Sequence, residues 1–404
     1  MTKAPLSVED ALAQILSGAE PVGTEDVPLT EASGRTLAEP LVATLTQPPF
    51  DATAMDGYAV RLADVETLPA ELTVIGEAAA GHPFSGEVMA GQAVRIFTGA
   101  PVPMGADAIV IQENTKAEGS SVRVVDGSPD PGHIRPAGGD FKAGEAVLAA
   151  GTKLEARHIG LAAAMGHSSV SVYRKPVVAI LSTGDELVEP GTTPATGQIV
   201  SSNGYAIATM IAAAGGQPRL LGIARDTPES LAEKITEAKD TDILVTIGGA
   251  SVGDHDLVAP ALRAAGFEMD FWKIAMRPGK PLMLAQRPGQ RALGLPGNPV
   301  SSIVCTKVFI EPLVKAMCGQ SGATAPTRTA RLATPLGPNG PRQHYMRATV
   351  EPAPDGHGLI ARPAENQDSS LLTVLAQSNA LLIRPPHQSA LEKGDKVTVM
   401  QIDF

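Results

Sequence analysis

The stretch Leu244-Val245-Thr246-Ile247-Gly248-Gly249-Ala250-Ser251-Val252-Gly253-Asp254-His255-Asp256 joins an apolar run to a Gly-rich turn carrying hydroxyls and carboxylates, and a helix start follows at about Leu257. Glycines let the backbone approach a ligand closely and turn its N–H groups inward. A helix N-terminus adds partial positive charge, which favours phosphate. Two aspartates beside such a nest are unfavourable for an anion unless a cation stands between them, so the combination points to a phosphate held with Mg²⁺. An ordinary β–α turn accounts for the same residues equally well, because Gly-Gly turns are common. Neither the dinucleotide fingerprint nor the P-loop pattern matches.

Four further segments carry polar chemistry. In Thr183-Gly184-Asp185-Glu186-Leu187, Glu186 can ligate a cation and Thr183 can hold a ligand oxygen, or the segment can simply cap a helix. Met276-Arg277-Pro278-Gly279-Lys280-Pro281 sets two cations on a proline-stiffened turn, which suits an oxyanion pocket and also fits a basic solvated turn. Leu295-Pro296-Gly297-Asn298-Pro299-Val300-Ser301 reads as strand, rigid turn and helix start, with Asn298 and Ser301 free to cap or to contact a ligand. Phe50-Asp51-Ala52-Thr53-Ala54-Met55-Asp56-Gly57-Tyr58 exposes the Asp56 carboxylate on a tight turn and, standing alone, is a surface turn. The eight histidines show no H-x-x-x-H spacing and there is no Cys cluster, which argues against zinc. No G-x-S-x-G elbow supports serine-hydrolase chemistry.

The elements that must position these segments alternate strand and helix. Runs at 177–181, 220–224, 243–247, 267–274, 282–286 and 292–295 read as strands, and 202–214, 228–239, 257–265 and 299–318 as helices. This is α/β with a largely parallel sheet, whose ligands bind at the C-terminal strand ends. Residues 176–325 are expected to form that domain. Residues 45–145 show short β-like runs between Gly/Pro turns and predict an inserted all-β domain, flanked by a more helical N-terminal domain from 1–44 and 146–175. Ser7 with Asp10 predicts a helix cap near the start, ahead of the apolar stripe Val8, Leu12, Ile15 and Leu16. Residues 326–404 return to short strands and predict a small β-barrel or sandwich after a linker at 319–328.

Composition bounds the rest. The chain has 404 residues, 43% of them hydrophobic but only 3% aromatic, so its cores must be aliphatic. A net charge of −11 argues against nucleic acid as the main partner while leaving room for a local basic pocket. Cys305 and Cys318, in one expected helix, read as buried free thiols. No signal-peptide core and no bilayer-length apolar run is present, so the expectation is a soluble, cytoplasmic protein without a membrane partner.

Taken in order, the motifs resemble the molybdopterin molybdotransferase family, which comprises MoeA and the E domain of gephyrin. The resemblance rests on Ala54-Met55-Asp56-Gly57-Tyr58-Ala59-Val60, Thr98-Gly99-Ala100-Pro101-Val102-Pro103, the 182–187 turn, Gly248-Gly249-Ala250-Ser251-Val252-Gly253, Arg277-Pro278-Gly279-Lys280-Pro281 and Leu295-Pro296-Gly297-Asn298-Pro299, and spans essentially the whole chain. Each segment is weak alone; the ordered set is specific. The resemblance implies an elongated four-domain homodimer that inserts molybdate into adenylylated molybdopterin and releases AMP, with Mg²⁺ as cofactor. It implies catalytic roles for Asp56, Asp140, Glu186, Asp226, Asp256 and Lys280, with Glu186, Asp226 and Asp256 on the metal. Pterin and nucleotide would meet Thr98, Thr183, Gly248, Gly249, Ser251, Gly253, Pro296, Asn298 and Ser301. Molybdate would meet Arg277, Lys280, Pro281, Arg347, Ser369 and Ser370. The implied site lies between the α/β domain of one subunit and the β domain of the other, and the implied protein partners are an upstream adenylyltransferase and downstream cofactor acceptors.

Two departures from the family pattern stand out. Asp140 follows Arg135-Pro136-Ala137-Gly138-Gly139 rather than an Arg-rich run ending in Gly-Glu. The C-terminal Gly/Ser loop here is Gln367-Asp368-Ser369-Ser370, with an added negative charge. Two alternatives stay open on the residues: an adenylyltransferase acting earlier on molybdopterin, which the flanking domains disfavour, and a pterin-carrying scaffold, which the acidic residues at 186, 226 and 256 disfavour.

Overall fold

The computed structural model describes residues 5–127, 131–249, 257–320 and 324–402. By backbone contacts the chain forms two compact units, one of residues 1–25, 34–38 and 172–404, the other of 26–33 and 39–171.

The first unit is built on a six-stranded sheet. Its strands are β1 (Val177–Thr183), β2 (Gln217–Ala224), β3 (Ile243–Ile247), β4 (Glu268–Lys273), β6 (Pro281–Arg287) and β7 (Gln290–Leu295), in the order β2-β1-β3-β7-β6-β4. A two-residue strand, β5 (Met276–Arg277), lies between β4 and β6 in the chain but joins a different sheet. Strands β2, β1, β3 and β7 are parallel; β6 is reversed, pairing antiparallel with β7 on one side and with β4 on the other, so the sheet is mixed. All five residues of β3 are buried and four of them are aliphatic, because a parallel strand covered on both faces has no solvent side.

Successive residues feed two cores. Val178, Ile180, Val245 and Leu293 pack on one face with α2 (Asn203–Ala213) and the helices after Pro299; Ala179, Leu181 and Leu244 pack on the other with α3 (Pro228–Glu237) and α4 (Val258–Ala264). The N-terminal helix α1 (Val8–Leu16) is capped by Ser7, whose Oγ accepts from the Asp10 amide at 3.0 Å. Its Val8, Ala11 and Ile15 belong to the first of these cores. It therefore packs with the α/β unit rather than with a separate flanking helical domain, because its apolar stripe finds its partner there.

The helix expected over 299–318 is interrupted. It divides into α5 (Pro299–Cys305), a π turn over Thr306–Ile310 and α6 (Glu311–Met317). Pro312 is the cause: it has no N–H and its ring collides with the carbonyl four residues back, and a wider turn relieves both. Residues 327–402 close a five-stranded barrel from β8 (Thr327–Leu332), β9 (Gln343–Pro352), β10 (Leu359–Pro363), β11 (Ala380–Arg384) and β12 (Lys396–Gln401), with β11 pairing back to β9. Strand β5 adds to β9 in parallel. Tyr345, Leu381, Met400 and Ile402 join the α/β core from the barrel side.

The second unit holds a six-stranded sheet in the order Ala108–Ile111, Gly57–Val60, Gln92–Ile96, Ala70–Ala78, Ser121–Val124 and Thr115–Glu118. Shorter pairings, Ala52–Thr53 with Ile134–Arg135 and Leu41–Val42 with Ala146–Leu148, accompany it, and one helix spans Ala156–Ala164.

Phe309 is fully buried in the π turn. Phe309→Ala is expected to cost about 3–5 kcal/mol of unfolding free energy. Chemical denaturation checks it, and a loss below about 1 kcal/mol would contradict a packed π turn.

Candidate active site

A cavity of about 1150 Å³ opens where the parallel strands end. Thr183 closes β1 and its hydroxyl donates to the Ile247 carbonyl at 3.3 Å. Gly248 has φ +93°, and a Cβ there would lie 2.7 Å from the Thr183 carbonyl oxygen. Gly249 has φ +60°, and its Cβ would lie 2.5 Å from a Val258 methyl. Glycine is therefore required twice, by backbone sign and by close approach. Asn203 Nδ2 donates to the Gly297 carbonyl at 2.8 Å, tying α2 to the Pro296-Gly297 turn. Thr183, Gly248, Gly249, Pro296, Asn298 and Ser301 all line the cavity. Ser251, Gly253 and Asp256 lie outside the described residues.

One end of the cavity is acidic. Glu186 and Asp226 line it from the turns after the adjacent strands β1 and β2. The two turns are cross-linked: the Asp185 amide reaches Asp226 Oδ2 at 3.4 Å and the Asp226 amide reaches Asp185 Oδ1 at 3.3 Å. The Glu186 carboxylate folds back over Gly184, where any Cβ would collide with it. Among the described residues no three His, Cys, Asp or Glu side chains converge as a metal cage. The exposed carboxylate oxygens of Glu186 and Asp226 are nevertheless the hard donors that Mg²⁺ prefers.

The other end is basic. Because β6 runs antiparallel, its first residues reach the same edge where β1, β3 and β7 finish, and this brings Arg277, Lys280 and Pro281 to the cavity. Gly279, with φ +105°, seats the turn on α5: its Cβ would fall 2.5 Å from Cys305 Sγ. Three strand spacings separate β1 from β6, roughly 14 Å. Acid and base thus face the same cavity from opposite sides of the sheet.

The barrel supplies the third wall. The Ser369 carbonyl accepts from the Val300 amide at 3.1 Å, and its Oγ accepts from Asn298 Nδ2 at 3.0 Å. Asp368 Oδ1 accepts from both the amide (2.8 Å) and the hydroxyl (2.7 Å) of Ser370. These bonds, with Arg347 behind them, hold the Asp368 carboxyl below its usual range. The Ser370 hydroxyl is thereby engaged, whereas Ser369 keeps its proton to donate.

Arg347 departs from expectation. It is buried and does not line the cavity. Its guanidinium donates to the carbonyls of Asp368 (2.7 Å) and Asn366 (3.4 Å) and, through Nε, to Gln367 Oε1 (3.3 Å). Gln367 returns two bonds from Nε2, to the carbonyls of Arg347 (3.0 Å) and Ala364 (2.8 Å). Arg347 was expected to meet the oxyanion; in this structure backbone carbonyls and the Gln367 side chain take its donors, and it braces the 366–368 loop. Arg342, which the sequence reading passed over, lines the cavity in its place. Its signal was a second arginine five residues earlier at the entrance to the same strand.

Asp56, Thr98 and Asp140 belong to the second unit. Asp56 Oδ1 accepts from the Thr98 amide (2.8 Å) and hydroxyl (2.7 Å), which lowers its pKa, helped by Arg95. Arg95 lies against the Tyr58 and Phe97 rings at 5.1 and 4.7 Å. Asp140 is exposed, its amide bonded to the Gln47 carbonyl at 3.0 Å.

A mixed α/β sheet whose polar strand-end cavity is walled by a small barrel defines a ligand-binding multidomain protein. Comparison with known proteins narrows that class. The sequence matches the MoeA N-terminal region (domain I and II) over residues 6–166, a probable molybdopterin binding domain over 179–316 and the MoeA C-terminal region (domain IV) over 329–402. It is 39% identical over 389 residues to a molybdopterin molybdenumtransferase of Nostoc sp., covering 94% of this chain and 89% of that protein. It is 33% identical over 382 residues to that of Haemophilus influenzae, covering 94% of each. A crystal structure of a molybdopterin biosynthesis MoeA protein from Pyrococcus horikoshii superposes with a TM-score of 0.83 at 30% identity, covering 98% of this chain and 100% of that one. The chain belongs to the MoeA family.

His344, on β9, is buried among Arg277, Arg347, Arg384 and Arg342, and burial followed by these charges pushes its pKa down to about 4. The unfolded chain takes up this proton near pH 6.5. Between pH 6.5 and 4 the unfolded state therefore binds more protons, and stability falls as pH drops through that window. His344→Gln should flatten this slope. Urea midpoints at pH 7 and pH 5 check it; an unchanged difference between wild type and variant would refute the assignment.

Proposed function

We propose that this chain is a molybdopterin molybdotransferase, inserting molybdate into adenylylated molybdopterin with release of AMP in molybdenum cofactor biosynthesis. The observation that carries the reading is the two-ended cavity: carboxylates at the ends of β1 and β2, and unpaired cations on the turn leading into β6. The substrate has the same polarity. Its phosphate linkage needs a hard cation and its metal-bearing end receives a tetrahedral dianion. Membership in a family whose curated members carry this activity in their names supports the assignment.

On this reading the chain's work is positioning and electrostatics. Thr183, Gly248, Gly249, Pro296, Asn298 and Ser301 hold pterin and nucleotide against the strand ends. Arg277 and Lys280 draw molybdate to the opposite end, with Pro281 stiffening their turn and Ser369 offering a hydroxyl. Glu186 and Asp226, with Asp256 as a third carboxylate, would hold Mg²⁺, which when bound offsets phosphate charge as AMP leaves. We further infer a cytoplasmic homodimer in which Asp56, Thr98 and Asp140 of each copy complete the other's cavity. An adenylyltransferase hands over the substrate, and acceptor proteins take the loaded cofactor.

AMP release from adenylylated molybdopterin, with and without molybdate, tests the function. Glu186→Gln should slow it more than tenfold, about 1.4 kcal/mol of barrier; turnover with no molybdate dependence would sink the reading. The composite site makes a separate prediction. Asp56→Asn and Glu186→Gln dimers should each be nearly inactive, yet subunit exchange between them should restore about a quarter of wild-type activity, from one intact site in half of the dimers. No recovery in verified heterodimers would place all these residues in one subunit's site.

A further inference from the structure

Four arginines surround His344, and they divide into two kinds. Arg347 is spent on the 366–368 loop as described. Arg384 is spent likewise, on Gln388 Oε1 (2.8 Å) and the carbonyls of Gly337 (2.6 Å) and Ser389 (2.9 Å). Arg277 and Arg342 remain on the cavity wall, with Lys280 beside Arg277 in the chain. Among the described residues none of these three side chains makes a hydrogen bond or ion pair.

The backbone at Arg342 is fixed although its side chain is uncommitted. Asn339 Nδ2 donates to the Arg342 carbonyl (3.0 Å) and to that of Pro385 (2.7 Å). The next residue, Gln343, donates its amide to the Ala275 carbonyl at 2.9 Å. The β5–β9 register pairs Arg277 with His344, so Arg342, two residues before His344, shares a face with both. The one carboxylate that the barrel loop places on the wall, Asp368, is already answered by Ser370 and Arg347. Among the described residues these three cations, in a chain of net charge −11, make no ion pair. The guanidinium fork of Arg342, partly buried on the cavity wall, matches two oxygens of a tetrahedral oxyanion.

We propose that Arg342 is a direct ligand of the tetrahedral oxyanion, joining Arg277 and Lys280 on that wall of the cavity. The proposal rests on the reading of the cavity as the molybdate site, and deepens it. Guanidinium at 342 gives bidentate contact; the lysine at 280 acts as a point charge.

Calorimetric titration of the full-length protein with sodium molybdate alone, beside titration with molybdopterin, tests it. R342A should raise the molybdate Kd about tenfold or more, R342K should recover part of that loss, and molybdopterin affinity should stay within about twofold. The thermal midpoint of ligand-free R342A at pH 7 should stay close to wild type, because no side-chain hydrogen bond or ion pair among the described residues is removed. An unchanged molybdate Kd in R342A, when wild type binds molybdate and turns over, overturns this inference and leaves the function standing. A loss of molybdopterin affinity with intact molybdate binding assigns Arg342 to the phosphate end and also overturns it. A wild type that binds molybdopterin but neither binds molybdate nor shows molybdate-dependent AMP release overturns the functional reading and this inference with it.

Discussion

One reversal of chain direction organises the site. Four strands of the central sheet run parallel and deliver their turns to one edge, as α/β folds do. Parallel strands alone would bring only strand ends there. Because β6 runs the other way, a strand start arrives at the same edge, and with it the Arg277–Pro281 turn. The carboxylates come from β1 and β2 and the cations from the opposite side of the sheet. The width of the sheet, rather than any single contact, holds the two charges apart.

Charge is rationed accordingly. The protein is acidic overall, yet its cavity keeps arginines and a lysine that have no carboxylate partner among the described residues. Some cations elsewhere are answered by carboxylates: Arg174 by Asp242 at 2.9 Å, Arg219 by Asp240 at 2.7 Å, Arg331 by Asp355 at 2.7 Å. Buried arginines of the barrel are answered by carbonyls instead. The cations of the cavity wall carry neither kind of bond among the described residues.

Much of this was legible in the residues. The alternation of apolar runs with capped helical stretches gave the α/β layer, since Val178 and Ala179 must face opposite cores. Motif order gave the family, and the structure brings Thr183, Glu186, Asp226, Gly248, Arg277, Lys280, Asn298 and Ser369 to one cavity although they span nearly half the chain. What escaped depends on partners distant in sequence. Nothing local says that Arg347 will be claimed by carbonyls twenty residues on, or that Arg342 will not. Strands such as Gly57–Val60 and Leu359–Pro363 are hard to delimit from sequence because each is short and set among glycines or prolines. The π turn was missed because apolar periodicity continues straight through Pro312, and only the steric rule for proline breaks it.

The basic turn rests on sulfur. Cys305 is fully buried under Gly279, and burial pushes its thiol up to about 12. A thiol that stays protonated is neither a nucleophile nor a metal ligand. A reactive cysteine under a basic turn would be open to oxidation or to capture by soft metals. Here the Cys305 sulfur is a packing surface instead. The turn that carries Arg277 and Lys280 thus rests on a chemically silent floor, and its position does not change with the redox state of its surroundings.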